Sequence, residues 1–258
     1  MLAYDRIGAG EPLVLLHGLG SRREVWAPVV PALAASYDVI AVDLPGFGAS
    51  PRAHAGGVQE LTEAVVDFCA QFDRPHLAGN SMGGGIALEL GRRGLARSVT
   101  AFSPIGFWHT PGRIWGRWAL GSARRLGWAV RPVLPRLMRY RSGRVALCGI
   151  VFGRPGRLSP EVCMLNINGI LDASGFQAAS DSVAHHRFEG ALDGLADIPV
   201  SIAWGRRDVL LTYATQSRRA RAALPGALHR PLPGCGHTPF YDDPAGCADV
   251  MIATAARA

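Results

Sequence analysis

Six short apolar runs recur along this 258-residue chain, separated by segments with helical spacing, and no other feature restricts the fold as much. The runs are PLVLLHG (12–18), DVIAVDL (38–44), PHLAGN (75–80), SVTAFSP (98–104), PVSIAWG (199–205) and ALHRPLP (227–233). Several are continuously apolar rather than alternating, as strands covered on both faces require. Helical spacing spans about 24–35, 58–72, 82–93, 216–224 and 244–256. Alternation of this kind predicts an α/β fold, a doubly wound, mostly parallel sheet with helices on both faces.

One stretch breaks the rhythm. Between Phe107 and Asp197 no strand signal stands out, only helix-like pieces cut by Pro111, Pro132, Pro135, Pro155 and Pro160. The expected organisation is therefore a core of residues 1–106 and 198–258, with a helical cap inserted at 107–197. Residues 107–160 hold eleven Arg, no Asp or Glu, and Trp108, Trp115, Trp118 and Trp128. We expect a lid whose tryptophans pack onto the core. The second reading is a basic aromatic face that meets a lipid surface or an anionic substrate.

The net charge of +7 invites a nucleic-acid reading, but all 27 basic residues are Arg, with heavy Ala, Gly and Pro alongside. That one-sided usage reads as compositional bias, and we expect no nucleic-acid partner. With no lysine, Schiff-base chemistry on a side-chain amine is excluded. The five cysteines are scattered and never form C-x-x-C, which predicts reduced thiols and no zinc site. No secretory leader pattern opens the chain and no apolar run approaches the ~20 residues of a membrane helix, so we expect a cytoplasmic protein.

HLAGNSMGGGIALEL (76–90) crowds a serine among four glycines at a strand-to-helix junction. Glycine weakens both elements, so its clustering there needs a local reason. Gly79-Asn80-Ser81-Met82-Gly83 fits G-x-S-x-G, in which a strained turn lifts the serine Oγ above the sheet edge. Flanking glycines let backbones pass where a Cβ would collide. A serine hydroxyl needs a base, and the base needs an orienting carboxylate. His237, in a glycine-punctuated loop after the last strand-like run, stands where chemistry gathers in open α/β sheets. Asp208 lies just beyond the run 199–205, whereas SPIG after the preceding run offers no acid. Asp43 reads as a structural turn residue and His17 as a loop-fixing one. The glycine-rich LLHGLG (15–20) can turn a backbone N–H toward the serine, so Leu19 and Met82 N–H are the expected oxyanion donors.

Together LVLLHGLG, VIAVDLPGFGAS, LAGNSMGGGIAL, IAWGRRDVLL and LPGCGHTPFYDDP resemble the α/β-hydrolase superfamily, in the branch with a helical cap between two late strands. The resemblance implies Ser81 as nucleophile, His237 as general base then acid, Asp208 as orienting acid, and cap residues around the acyl group. It implies acyl transfer to water on a small-molecule substrate, with no metal and no organic cofactor. A carboxylic-ester hydrolase acting on apolar or aromatic esters is the leading expectation. The alternatives are a C–C bond hydrolase of ring-fission diketones, to which GNSMGG is similar, and a ligand receptor on the same scaffold. Thr238 departs from the first alternative, which usually has Trp after the histidine. Asn80 would serve that chemistry or simply hydrogen-bond the loop.

Overall fold

The computed structural model describes residues 1–52, 54, 56–188 and 192–258. Seven strands form one sheet: β1 (Tyr4–Ile7), β2 (Glu11–Leu16), β3 (Tyr37–Val42), β4 (His76–Asn80), β5 (Ser98–Phe102), β6 (Val200–Gly205) and β7 (Leu228–Leu232). Their spatial order is β1-β3-β2-β4-β5-β6-β7, with β1 antiparallel to β3 and every other pairing parallel. Four of the continuously apolar runs become β3, β4, β5 and β6, and every residue of those strands is buried. The mostly parallel, doubly wound expectation is met.

The period of two explains how one strand feeds two cores. Val14 and Leu16 of β2 point into one apolar cluster with α2 (Val58–Cys69) and α3 (Met82–Arg92). Leu13 and Leu15 point into the other, beside Trp26 and α10 (Pro244–Ala255). Burying each such side chain contributes roughly 1.5–3 kcal/mol.

The elements that sequence reading placed less well sit at the periphery. β1 (YDRI) was not expected: its four residues are all exposed, so it carries no apolar signal and exists by pairing along the β3 edge. The helix expected over 24–35 is broken into a 3₁₀ turn, Arg23–Trp26, and a single turn α1 (Val30–Leu33). The expected segment 216–224 becomes a wide helical turn over Tyr213–Ser217 running into α9 (Arg218–Ala223).

Between β5 and β6 the described residues form five α-helices, three short 3₁₀ turns and no strand; the α-helices are α4 (Thr110–Ala129), α5 (Leu134–Arg139), α6 (Arg141–Cys148), α7 (Pro160–Asp172) and α8 (Phe176–Val183). Met138, Cys148, Phe152, Leu158 and Cys163 give this insertion a small apolar core of its own. Its tryptophans depart from expectation. Trp108 is buried and donates its indole N–H to His186 O at 2.9 Å. Trp115, Trp118 and Trp128 stand on the surface instead.

Candidate active site

β4 ends at Asn80, and the chain must reverse within one residue to start α3. Ser81 makes that turn with φ 53° and ψ −112°, a backbone conformation that costs a non-glycine residue about 1–3 kcal/mol. Three backbone hydrogen bonds hold it there. Ser81 N–H donates to Phe102 O at 2.8 Å, and Ser81 O accepts from Gly85 N–H at 3.0 Å and Ile105 N–H at 3.1 Å. The glycines answer the close approach: a Cβ on Gly79 would strike the Gly83 backbone, and one on Gly83 would strike the Leu16 carbonyl.

Asp208 follows β6 in a turn closed by its own N–H on Gly205 O at 3.1 Å. Its side chain is fully buried and its carboxylate fully engaged. Oδ1 accepts from Leu210 N–H at 2.9 Å and Leu211 N–H at 2.8 Å, while Oδ2 faces His237 Nδ1 at 2.8 Å. A carboxylate accepts, so Nδ1 carries the proton and Nε2 of His237 is left with a free lone pair. Ser81 and His237 line one cavity together with Gly18, Leu19 and Thr238. Among the described residues Ser81 Oγ makes no hydrogen bond, so the link from hydroxyl to imidazole is open here. In free enzymes such bonds are often long and tighten when substrate binds.

The glycine-rich loop after β2 packs directly on this turn, and a Cβ on Gly18 would come within 3.2 Å of the Ser81 Cβ. Leu19, next in that loop, borders the cavity, and Met82 is the first residue of α3, where an amide lacks a helical acceptor. Neither the Leu19 nor the Met82 N–H donates to a protein group among the described residues. His17 fixes the loop: Nδ1 donates to Gly18 O at 2.8 Å, and Nε2 accepts from Leu44 N–H at 3.0 Å. Burial pushes its pKa down to about 4, so it is neutral. Asp43 accepts from Arg23 N–H at 2.7 Å and Ala49 N–H at 2.8 Å, and pairs with the Arg23 guanidinium, a turn-building role.

Two further residues hold the histidine loop. Asn80 Nδ2 donates to Phe102 O at 3.1 Å and His237 O at 3.0 Å, which joins the serine turn to the histidine loop from beneath. This bonding accounts for an asparagine beside the serine without a separate chemical role. Asp242 belongs to no local motif. Its carboxylate accepts from Gly153 N–H at 2.7 Å, Arg154 N–H at 2.8 Å and Gly236 N–H at 2.9 Å, and Thr238 N–H donates to Val151 O at 2.8 Å. The insertion thereby clamps the segment that carries His237. Asp242 precedes the helix-capping Asp243 in YDDP, and that pair of acids was its only signal.

The cavity that Ser81 shares with His237 is small, about 40 Å³, but has Val151, Asn166 and Ile170 in common with another of about 150 Å³. The second is walled by α4, α5, α6 and α7 through Gly127, Leu134, Leu147 and Leu171, with Asn166 its one polar side chain. Among the described residues no group of three His, Cys, Asp or Glu side chains is arranged to hold a metal ion. All five cysteines are free and buried.

Comparison with known proteins agrees with this architecture. The model of the alpha/beta hydrolase family matches residues 13–250. An uncharacterized protein of Mycobacterium tuberculosis is 29% identical over 276 residues, spanning 96% of this chain and 76% of the relative. A pimeloyl-acyl-carrier-protein methyl ester esterase of Aeromonas hydrophila is 44% identical over 91 residues, 34% of this chain and 35% of the relative. The solved structure of an esterase from Thermogutta terrifontis superposes with a TM-score of 0.75 at 22% identity, covering 98% of this chain and 92% of that one. With a serine at the strand-to-helix turn, a buried acid–imidazole pair beside it and the family pattern running through nearly the whole sheet, the chain belongs to the alpha/beta hydrolase family.

Proposed function

We propose that this hydrolase cleaves carboxylic esters of apolar acyl groups through a serine acyl-enzyme. The observation that carries the reading is a buried Asp208–His237 pair sharing one cavity with a strained serine. The esterase names among the relatives support the same direction.

In this mechanism His237 Nε2 takes the Ser81 Oγ proton as the oxygen attacks the substrate carbonyl. Asp208 keeps the imidazole in the accepting tautomer and stabilises the imidazolium that forms. The carbonyl oxygen, now negative, is received by the Leu19 and Met82 N–H groups, each worth ~3 kcal/mol to the transition state. Collapse expels the alcohol with the proton returned from His237. Water then attacks the acyl-enzyme by the same route and frees the acid. The helices between β5 and β6 serve as a cap over the site. Their apolar cavity receives the acyl chain: a void of about 150 Å³ is the size that accepts a benzene-sized guest. The helices also keep water away from the reacting oxygens.

Hydrolysis of p-nitrophenyl acetate, butyrate and hexanoate by the wild type and by Ser81→Ala tests the reading. Turnover is expected in the first and its loss in the second. Undiminished ester turnover in Ser81→Ala ends the proposal, and turnover of a ring-fission dienone in place of every ester moves the chemistry to C–C cleavage.

A further inference from the structure

Helix α4 is built inside out. On an ordinary surface helix the large apolar side chains face the fold and the polar ones face water. Here the buried positions are Gly112, Gly116, Ala119 and Gly127, all small. Ile114, Trp115, Trp118 and Trp128 are on the exposed side, with Trp118 62% and Trp128 51% accessible. At 100° per residue, Ile114, Trp118, Arg125 and Trp128 fall on one stripe, with Trp115 along its margin. Two of the inner glycines have no room to be larger: a Cβ on Gly127 would approach the Leu171 side chain to 2.9 Å, and one on Gly112 the His109 ring to 2.7 Å. The helix therefore lies flush on the fold and turns its bulk outward.

The stripe continues beyond the helix. Trp115 and Trp118 lie with ring centroids 5.6 Å apart, and the Trp115 indole donates to Val209 O, which brings exposed Val209 alongside. At the far end the Arg131 guanidinium sits 4.6 Å over the Trp128 ring, followed by exposed Val133. The indole N–H groups of Trp118 and Trp128 have no protein acceptor among the described residues. Each presents an apolar body with a polar tip. The charge is just as one-sided: residues 107–160 carry eleven Arg and no acid. Arg117 and Arg131 pair with Asp181 and Asp172. Exposed Arg125, Arg136 and Arg139 pair with no carboxylate among the described residues.

We propose that this outer face of α4 and α5 docks on the anionic surface of a phospholipid bilayer. Tryptophans with free N–H groups suit the headgroup boundary, and unpaired guanidinium groups suit lipid phosphates. A second copy of the chain is a poor occupant, because a symmetric contact would set one arginine-rich face against another. Among the described residues no helix is long and apolar enough to cross a membrane, so the face lies on the bilayer rather than in it. The inner side of the same helix lines the two cavities through Leu120, Ala123 and Gly127. Docking therefore sets Ser81 little more than one helix diameter, about 10 Å, behind the lipid surface. The proposal does not depend on the catalytic reading.

Co-sedimentation of the full chain with phosphatidylcholine vesicles, with and without about one-third phosphatidylglycerol, tests it. The chain pellets with the anionic vesicles at low salt, and raising NaCl about tenfold weakens partitioning by about tenfold or more. Bound protein shows blue-shifted tryptophan emission that brominated lipid quenches. Trp118→Ser with Trp128→Ser, and separately Arg125, Arg136 and Arg139 all →Gln, each reduce partitioning about tenfold. Both leave circular dichroism and soluble-ester turnover unchanged, since these side chains touch neither core nor cavity. Failure to pellet with anionic vesicles at low salt overturns the proposal, whether or not an acidic protein is bound instead. Partitioning unchanged in both variants overturns it equally.

Discussion

Asp208→Asn isolates the role of the acid, because the structure separates its two oxygens by task. Oδ1 is fixed by the Leu210 and Leu211 amides at 2.9 and 2.8 Å, and the amide oxygen of Asn takes over both bonds. The amide nitrogen must then face His237 Nδ1, where the carboxylate Oδ2 stood at 2.8 Å. Donor now meets donor unless the imidazole moves its proton to Nε2. In that tautomer Nε2 donates to Ser81 and has no lone pair with which to accept its proton. The same exchange in serine proteases lowers kcat by ~10⁴, about 5.5 kcal/mol. The fold loses one charge-assisted bond and no side-chain volume, roughly 2 kcal/mol, or a fall in Tm of about 4–8 °C. Steady-state turnover of p-nitrophenyl butyrate, read beside a thermal melt, measures both. A folded Asp208→Asn enzyme whose kcat stays within about tenfold of wild type would refute the assignment of the acid.

Asn80→Ala removes the Nδ2 donors to Phe102 O and His237 O; Phe102 O keeps its bond from Ser81 N–H, so the buried His237 O is the carbonyl left without that partner, at about 1–3 kcal/mol. Urea denaturation should show a loss of about 1–3 kcal/mol, and kcat should fall more than KM changes, as His237 loses its tether. His17 is held near pKa 4 by burial against an ordinary value of 6.5, so its folded pKa is the depressed one. The stability it contributes is complete above about pH 6.5 and is lost as pH falls from there toward 4, at most about 3 kcal/mol. His17→Gln, which does not titrate, should flatten that part of a urea-midpoint-against-pH curve by a similar amount; an unchanged slope contradicts the burial argument. Half-buried His186 and His229, both shifted down chiefly by desolvation, add slopes of the same sign. The apolar cavity predicts that p-nitrophenyl hexanoate is preferred to acetate in kcat/KM. Four added methylenes at ~0.8 kcal/mol each bound the gain at about 3 kcal/mol, some 200-fold. Ile170→Trp, at the junction of the two cavities, should abolish the preference, and a preference that survives places the acyl chain elsewhere.

Much of this molecule could be read from the chain alone, and the reasons are physical. β3 to β6 are buried on both faces, so their residues had to be apolar without alternation, and that pattern is visible in one dimension. Gly79 and Gly83 advertised a close backbone approach that the structure bears out at the Gly83 and Leu16 carbonyls. β1 was invisible because edge pairing uses backbone groups and leaves no mark on side chains that face water. Asp242 and Val151 were invisible because the loops they join lie far apart in sequence, so the contact has no local pattern. The outward tryptophans were misjudged for the opposite reason. Aromatic residues in a helix imply packing inward, and only the small residues wedged under α4 reverse that inference.

Labelling with a fluorophosphonate tests the central claim most directly, since it reads the nucleophile without needing the right substrate. Peptide mass analysis should find one phosphonylated residue per chain, at Ser81. The label should vanish in Ser81→Ala and form at least about a hundredfold more slowly in His237→Gln, where no base takes the proton. A label carried by another residue, or one that reaches Ser81 as fast without the imidazole, would contradict the account.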